Sequence, residues 1–230
     1  MPIKPTTDTP MMSTLLTLPL FCGLTMEQLM SLLEKAVPEF ITLTDVPILR
    51  RGERHSRLLF ILQGTVTRQY TDPSGRCTLC EPLHEGDIVE FASLFGRGVL
   101  ALADYYAEGE VRLLAFDKQY LFSVFNRYDI VQMNILNLCC AHADVLHAKL
   151  TTFPGDALER RFCHLVEAFS VTTHNPKRLK VPRTQLAELL GCSRRPMSER
   201  IAAWEKEGLV QTAYGEIIIP NLQALMKIKK

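Results

Sequence analysis

Arg194 and Arg195 stand side by side in the segment 181–210, VPRTQLAELLGCSRRPMSERIAAWEKEGLV, with Ser193 before them and Ser198 and Glu199 behind. A guanidinium donates two parallel hydrogen bonds, which matches O6 and N7 of guanine in a major groove. The hydroxyls of Ser193 and Ser198, together with Arg183, suit phosphate oxygens, which set register without reading sequence. Glu199 has two uses. It can accept from cytosine N4, or it can pair with Arg195 one helical turn away; the pairing is preferred.

Two short helices must position these groups. The first is expected over 183–190, with Leu186, Leu189 and Leu190 on one face. Gly191 ends it, because a left-handed backbone costs glycine nothing. Ser193 is expected to cap the second helix with its hydroxyl, and Pro196 falls in the first turn, where its missing N–H is not needed. Met197, Ile201 and Trp204 then form one buried stripe, away from Arg194, Arg195 and Ser198.

The remaining chain must carry and pair this reader. Of 230 residues, 22% are charged and 47% hydrophobic, the balance of a globular protein. The net charge of +1 hides a division. Residues 1–154 hold 13 lysines and arginines against 17 acidic residues, and residues 155–230 hold 13 against 8. An acidic part joined to a basic part fits a sensor attached to a nucleic-acid binder. The seven cysteines show no disulfide framework and are read as reduced thiols in a cytoplasmic protein. The apolar run 11–24 is too short to cross a bilayer and contains Pro19, so no membrane association is expected.

Along the chain, residues 1–12 read as loose. Thr25 and Gln28 form a capping box before a helix that Pro38 ends. Between 39 and 116 short apolar runs alternate with turns, and Gly52, Gly64, Gly75 and Gly86 recur every 11 or 12 residues. That rhythm predicts a roll of short antiparallel strands, with a hairpin turn at 72–75. Helices follow over 118–125 and 129–152. In the longer one Met133, Leu136, Cys140, Ala143, His147 and Leu150 alternate steps of three and four, a heptad-like seam expected to pair two copies of the chain. Pro154, Gly155 and Asp156 mark the boundary between a domain at 1–154 and one at 155–230. A helix at 157–170, the two reading helices and a hairpin around Tyr214-Gly215 make the second domain a winged helix-turn-helix.

This order of elements, with the segments LPLFCGLTMEQLMSLLE, RRGE at 50–53, LLFILQGTV at 58–66, HEGDIVE at 84–90 and the helix-turn-helix itself, resembles the Crp/Fnr family of bacterial transcription regulators over nearly the whole chain. The resemblance implies an α+β architecture: a cyclic-nucleotide-binding-like antiparallel β-roll (a double-stranded β-helix), a long dimerisation helix and a winged helix-turn-helix. It implies a homodimer on two-fold symmetric double-stranded DNA, RNA polymerase as a partner and a small-molecule effector bound in the roll. Two departures stand out. Family members read DNA with arginine-glutamate followed by arginine four residues later, where this chain has Arg194-Arg195 and then Glu199. Members that bind cyclic nucleotides carry Gly-Glu and, after a loop, Arg-Ser or Arg-Thr to hold the phosphate. Here Phe91 takes the glutamate's place, and Ala101-Leu102 stands near the Arg-Ser position. The sequence therefore argues against a standard cyclic-AMP sensor. A small, uncharged effector or a cofactor is expected instead, lined by Phe91, Leu94, Tyr105 and Tyr106, with Cys139 and His142 from the long helix.

The alternative is a haem-dependent gas or redox sensor of the same family, with His84, His142 and His147 as candidate ligands. An iron–sulfur cluster is not expected, because only Cys22 lies near the N-terminus. Cys77 and Cys80, three apart on a strand, should point to opposite faces and not share a metal. A cupin-like metalloenzyme is the remote alternative. It needs a His-x-His, which the chain lacks, and no nucleophile comes with a base, so catalysis is not expected.

Overall fold

The computed structural model describes residues 9–36, 38–94, 98–120, 127–151, 157–213 and 215–227. The chain divides into two compact units, one of residues 1–66 with 84–146 and one of residues 67–83 with 147–230.

In the first unit, β1 (Glu39–Thr44) pairs antiparallel with β6 (Asp104–Asp117), placing Glu39 opposite Ala115 and Thr44 opposite Glu110. β2 (Pro47–Leu49) continues along β6. The first part of β3 (Arg57–Thr71) lies on the other side of β6, and Leu59 and Phe60 on it pair with β5 (Ile88–Val89). Gly64 (φ +92°) is required where these strands approach: a Cβ there would lie 2.5 Å from the Glu110 carbonyl oxygen. α1 (Thr9–Thr17) and α2 (Met26–Ala36) cover the roll. The capping box forms as expected, with the Thr25 amide donating to Gln28 Oε1 at 2.9 Å and the Gln28 amide to Thr25 Oγ1 at 3.2 Å. Leu15, Leu18, Leu29 and Leu32 close the core around Phe21, Phe60 and Phe116. α3 (Phe91–Leu94) adds Leu94 to that core, and α4 (Asp129–Thr151) adds Val131. Asn134 Nδ2 ties α4 down by donating to the carbonyls of Leu20 (3.0 Å) and Cys22 (2.9 Å).

The second unit begins with the hairpin formed by the end of β3 and β4 (Thr78–Leu83). Its turn is held by Asp72, whose Oδ1 accepts from the Cys77 amide at 2.7 Å and Oδ2 from the Ser74 amide at 3.1 Å, while Gly75 takes φ +73°. Burial works to raise the Asp72 pKa, but the Ser74 hydroxyl and the amides of Cys77, Ser74 and Arg76 outweigh it and hold the carboxyl low. β7 (Lys177–Lys180) pairs with β4, setting Leu179 against Leu79, and also with β9 (Glu216–Ile219). β8 (Gln211–Ala213) completes this side. α5 (Leu158–Phe169), α6 (Arg183–Leu189), α7 (Arg194–Lys206) and α8 (Leu222–Met226) pack with the strands around Phe162 and Trp204, whose rings are 5.1 Å apart.

Several expectations change. Residues 9–12 are not loose but open α1, because Met12 and Leu15 bury into the first core. Two elements of the second unit, β7 and α8, are not predicted by the sequence pattern. The hairpin 67–83, read as part of the roll, belongs to the compact unit that holds the helix-turn-helix. Of the helix expected over 118–125, residues 118–120 are helical. The rest of it, the boundary at 154–156 and Tyr214 lie outside the described residues.

Candidate functional site

The reading helices are built as two stops and a stripe. α6 ends at the Leu190 cap, and Gly191 takes the left-handed conformation at φ +59°. The Arg161 guanidinium donates to the Leu190 and Gly191 carbonyls and so closes the turn. Ser193 sits at the cap of α7 in an extended conformation, but its hydroxyl makes no capping bond. The expectation of a side-chain cap is corrected: the backbone alone starts this helix, and the exposed hydroxyl remains available. Met197, Ile201 and Trp204 are buried as one stripe, and Arg194, Arg195 and Glu199 are exposed on the opposite side, with Ser198 half-buried.

The charges at this surface are arranged, not scattered. Arg195 Nε donates to Glu199 Oε1 at 2.8 Å, with the arginine side chain 89% exposed. Arg194 has no partner among the described residues. Arg200 pairs with Glu159 at 2.6 Å and ties α7 to α5. Glu205 accepts from the amide (3.1 Å) and hydroxyl (2.8 Å) of Thr212, which ties α7 to the wing. Arg183, the first residue of α6, is half-buried and lines a cleft of about 210 Å³ with Val181, Thr212, Gly215 and Ile217. Its Nη1 is enclosed without a hydrogen-bond partner among the described residues. Burial lowers the Arg183 pKa, and the charge of Glu205 works against that shift.

The residues expected to line an effector pocket divide. Leu94 is consumed by the core, and Phe91 packs against the same core. Tyr105 and Tyr106 are neighbours on β6, so their side chains leave opposite faces; Tyr105 is buried and Tyr106 half-buried. The four cannot line one pocket together. Cys139 is exposed, and the His142 side chain lies outside the described residues. A residue that the sequence reading passed over stands at this place instead. Glu90, only 5% exposed, adopts φ +50° and turns its carboxylate inward. Its Oε2 accepts from the Leu102 amide (2.8 Å) and the Tyr105 hydroxyl (3.3 Å), and its Oε1 from the Ser93 hydroxyl (2.9 Å). The available signal was a glutamate in the glycine's place of the family's Gly-Glu pair.

On α4, Met133 (54%), Leu136 (56%), Cys140 and Ala143 are exposed along the expected seam. The side chains of His147 and Leu150 lie outside the described residues. His84, the roll's haem candidate, is half-buried with Nδ1 3.4 Å from Thr65 Oγ1. Cys77 and Cys80 are both buried, Cys77 within the core that holds Trp204. Burial, aided by the Asp72 charge, pushes the Cys77 thiol up to about 12, which keeps it protonated and disfavours metal binding. No cluster of three metal-ligating side chains occurs among the described residues, and none of their helices is long and apolar enough to cross a membrane.

Comparison with known proteins agrees with this layout. Residues 44–128 match the model of the cyclic nucleotide-binding domain, and residues 158–228 match that of the Crp-like helix-turn-helix domain. The catabolite activator protein of Thermus thermophilus is 21% identical, with 91% of this chain and 97% of that chain covered and a TM-score of 0.54. The N-terminal domain of a transcriptional regulator from Streptomyces coelicolor A3(2) is 24% identical over 63% of this chain and 99% of that chain, with a TM-score of 0.50. No curated protein matches. With a roll of the cyclic-nucleotide-binding type followed by a Crp-like helix-turn-helix, the chain belongs to the Crp/Fnr family of transcription regulators.

Proposed function

We propose that two copies of this chain associate along α4 and present their α7 helices to a two-fold symmetric operator, as an effector-responsive transcription regulator of the cytoplasm. The observation that carries this reading is the N-terminal end of α7: Arg194, without a partner among the described residues, and Arg195 are both exposed, on a helix whose other face is fixed by Met197, Ile201 and Trp204. Arg194 and Arg195 contact bases, and Ser193, Ser198 and Arg183 contact phosphates. Residues 1–154 form the sensor part, apart from the hairpin 67–83 that packs with the helix-turn-helix, and residues 155–230 form the DNA-binding part. Family membership favours RNA polymerase as a further partner.

The seam supports association. Met133 and Leu136 place large apolar side chains in solvent one turn apart, next to Cys140 and Ala143. Apolar residues at such spacing bury themselves against a second helix. Selection of bound duplexes from random DNA should return a two-fold symmetric site. Leu136→Glu should give a monomer in sedimentation. It should also lower operator affinity by about 10²–10⁴, the advantage lost when two half-sites are no longer linked. A Leu136→Glu protein that remains dimeric and binds unchanged would remove the seam from the reading.

The effector is small and uncharged. The Ala101-Leu102 position supplies no cation for a phosphate, and Glu90 adds a negative charge at the same place. Calorimetry with cyclic AMP should show no heat of binding; a micromolar dissociation constant would overturn this part.

A further inference from the structure

We propose that the Glu90 carboxylate is a tethered anionic ligand, filling from within the chain an oxyanion cradle that a free phosphate or carboxylate would otherwise enter. Three donors converge on it from three places in the first unit. The Leu102 amide comes from the loop before β6, the Tyr105 hydroxyl from β6 itself and the Ser93 hydroxyl from α3, at 2.8, 3.3 and 2.9 Å. One amide and two hydroxyls around a single pair of oxygens is the equipment of an oxyanion site. Ser93 is oriented in turn: its oxygen lies 2.8 Å from His55 Nε2, so a hydrogen-bond chain runs from His55 through Ser93 to Glu90. Burial of an anion is unfavourable unless donors replace its water, and here they do.

The backbone points the same way. Glutamate at φ +50° is in the left-handed region, where glycine is the unstrained choice. Val99, whose carbonyl accepts from the His55 amide, is also left-handed, at φ +44°. Strain at Glu90, the residue that carries the buried carboxylate, marks a place where something other than chain geometry is being satisfied. The donors gain an anion that never dissociates. A free oxyanion therefore finds the cradle taken, and the roll responds only to effectors that do not need it. The inference deepens the proposed function, resting on the reading of the roll as an effector domain for its regulatory meaning.

Glu90→Gly tests it, because one substitution relieves the strain and empties the cradle. The full-length variant is melted while sodium propionate, which is the severed side chain, or inorganic phosphate is titrated against chloride at matched ionic strength. The expected result is a saturable rise in melting temperature for Glu90→Gly with either anion and none for the unmodified protein. Identical melting of Glu90→Gly in all three salts would overturn the proposal. Should Glu90→Gly not fold, Glu90→Gln serves. The Leu102 amide proton should move upfield in the nuclear magnetic resonance spectrum when its acceptor loses its charge, and an unmoved resonance would equally overturn the proposal. Neither measurement uses DNA, so failure here leaves the operator reading standing, and failure of that reading leaves the cradle standing.

Discussion

Glu81→Ala should lower stability by about 3–5 kcal/mol, the cost of breaking a buried ion pair by removing one partner. Glu81 is fully enclosed and serves two cations at once. Its Oε1 accepts from Arg68 Nη1 at 2.8 Å and its Oε2 from Lys177 Nζ, with side chains 5% exposed or less. The amides of Val171 (2.9 Å) and Thr172 (3.4 Å) and the Thr172 hydroxyl (3.3 Å) use the same carboxylate. Alanine would leave two buried cations and two amides with too few acceptors. Lys177→Met should cost less, because Glu81 keeps Arg68 and methionine fills the vacated space with apolar atoms. For a chain of this size the larger loss corresponds to a melting temperature lower by on the order of 10 °C. Urea unfolding of both variants checks the order, and a Lys177→Met protein as unstable as Glu81→Ala would refute the arrangement. The site of damage is specific: Glu81 is on β4 and Lys177 on β7, so this cluster joins the 67–83 hairpin to the wing sheet inside one unit.

Arg194→Ala and Arg195→Ala should each weaken operator binding by about 1–3 kcal/mol, roughly 5- to 150-fold, with little effect on folding. The loss should be larger for Arg194. Arg194 has no partner among the described residues and can donate to guanine, whereas Arg195 must first leave Glu199, 2.8 Å away. That exposed pair contributes only about 0.3–0.5 kcal/mol, so Glu199→Ala should barely change stability while altering base preference opposite Arg195. Titrations at one fixed salt concentration with the selected operator and a scrambled duplex separate the roles. A loss confined to the operator marks a base contact. An equal loss on both duplexes, or no loss, would refute the assignment of these arginines to bases.

Local pattern was enough for the elements that carry the reader. Leu186 and Leu190, Gly191, Pro196, and the stripe Met197, Ile201 and Trp204 each follow rules that act within a turn or two of helix, and the helices formed where those rules placed them. The glycine rhythm from Gly52 to Gly86 likewise announced the roll, and Thr25 with Gln28 the start of α2. The same rules missed β7. Its KRLK alternates buried and exposed residues like any half-covered strand, but Lys177 occupies an inward position that pattern reserves for an apolar side chain. Glu81, 96 residues earlier in the chain, supplies the counter-charge for that burial, and the Thr172 carbonyl accepts from the same ammonium at 2.9 Å. Composition also misplaced residues 9–12, which become helix because a core exists to receive Met12 and Leu15.

By itself, then, the sequence determined the family architecture, the exposed arginines at the start of α7 and the apolar seam on α4, because periodicity and turn chemistry are local. Tertiary structure alone decided three things. It set the pairing of the 67–83 hairpin with the wing sheet, the partners that let Lys177 be buried, and the inward turn of Glu90 onto Leu102, Tyr105 and Ser93. At Lys177 opposite charges from distant positions neutralise one another out of water, while around Glu90 an amide and two hydroxyls replace the carboxylate's water, and no local pattern encodes that these partners will meet.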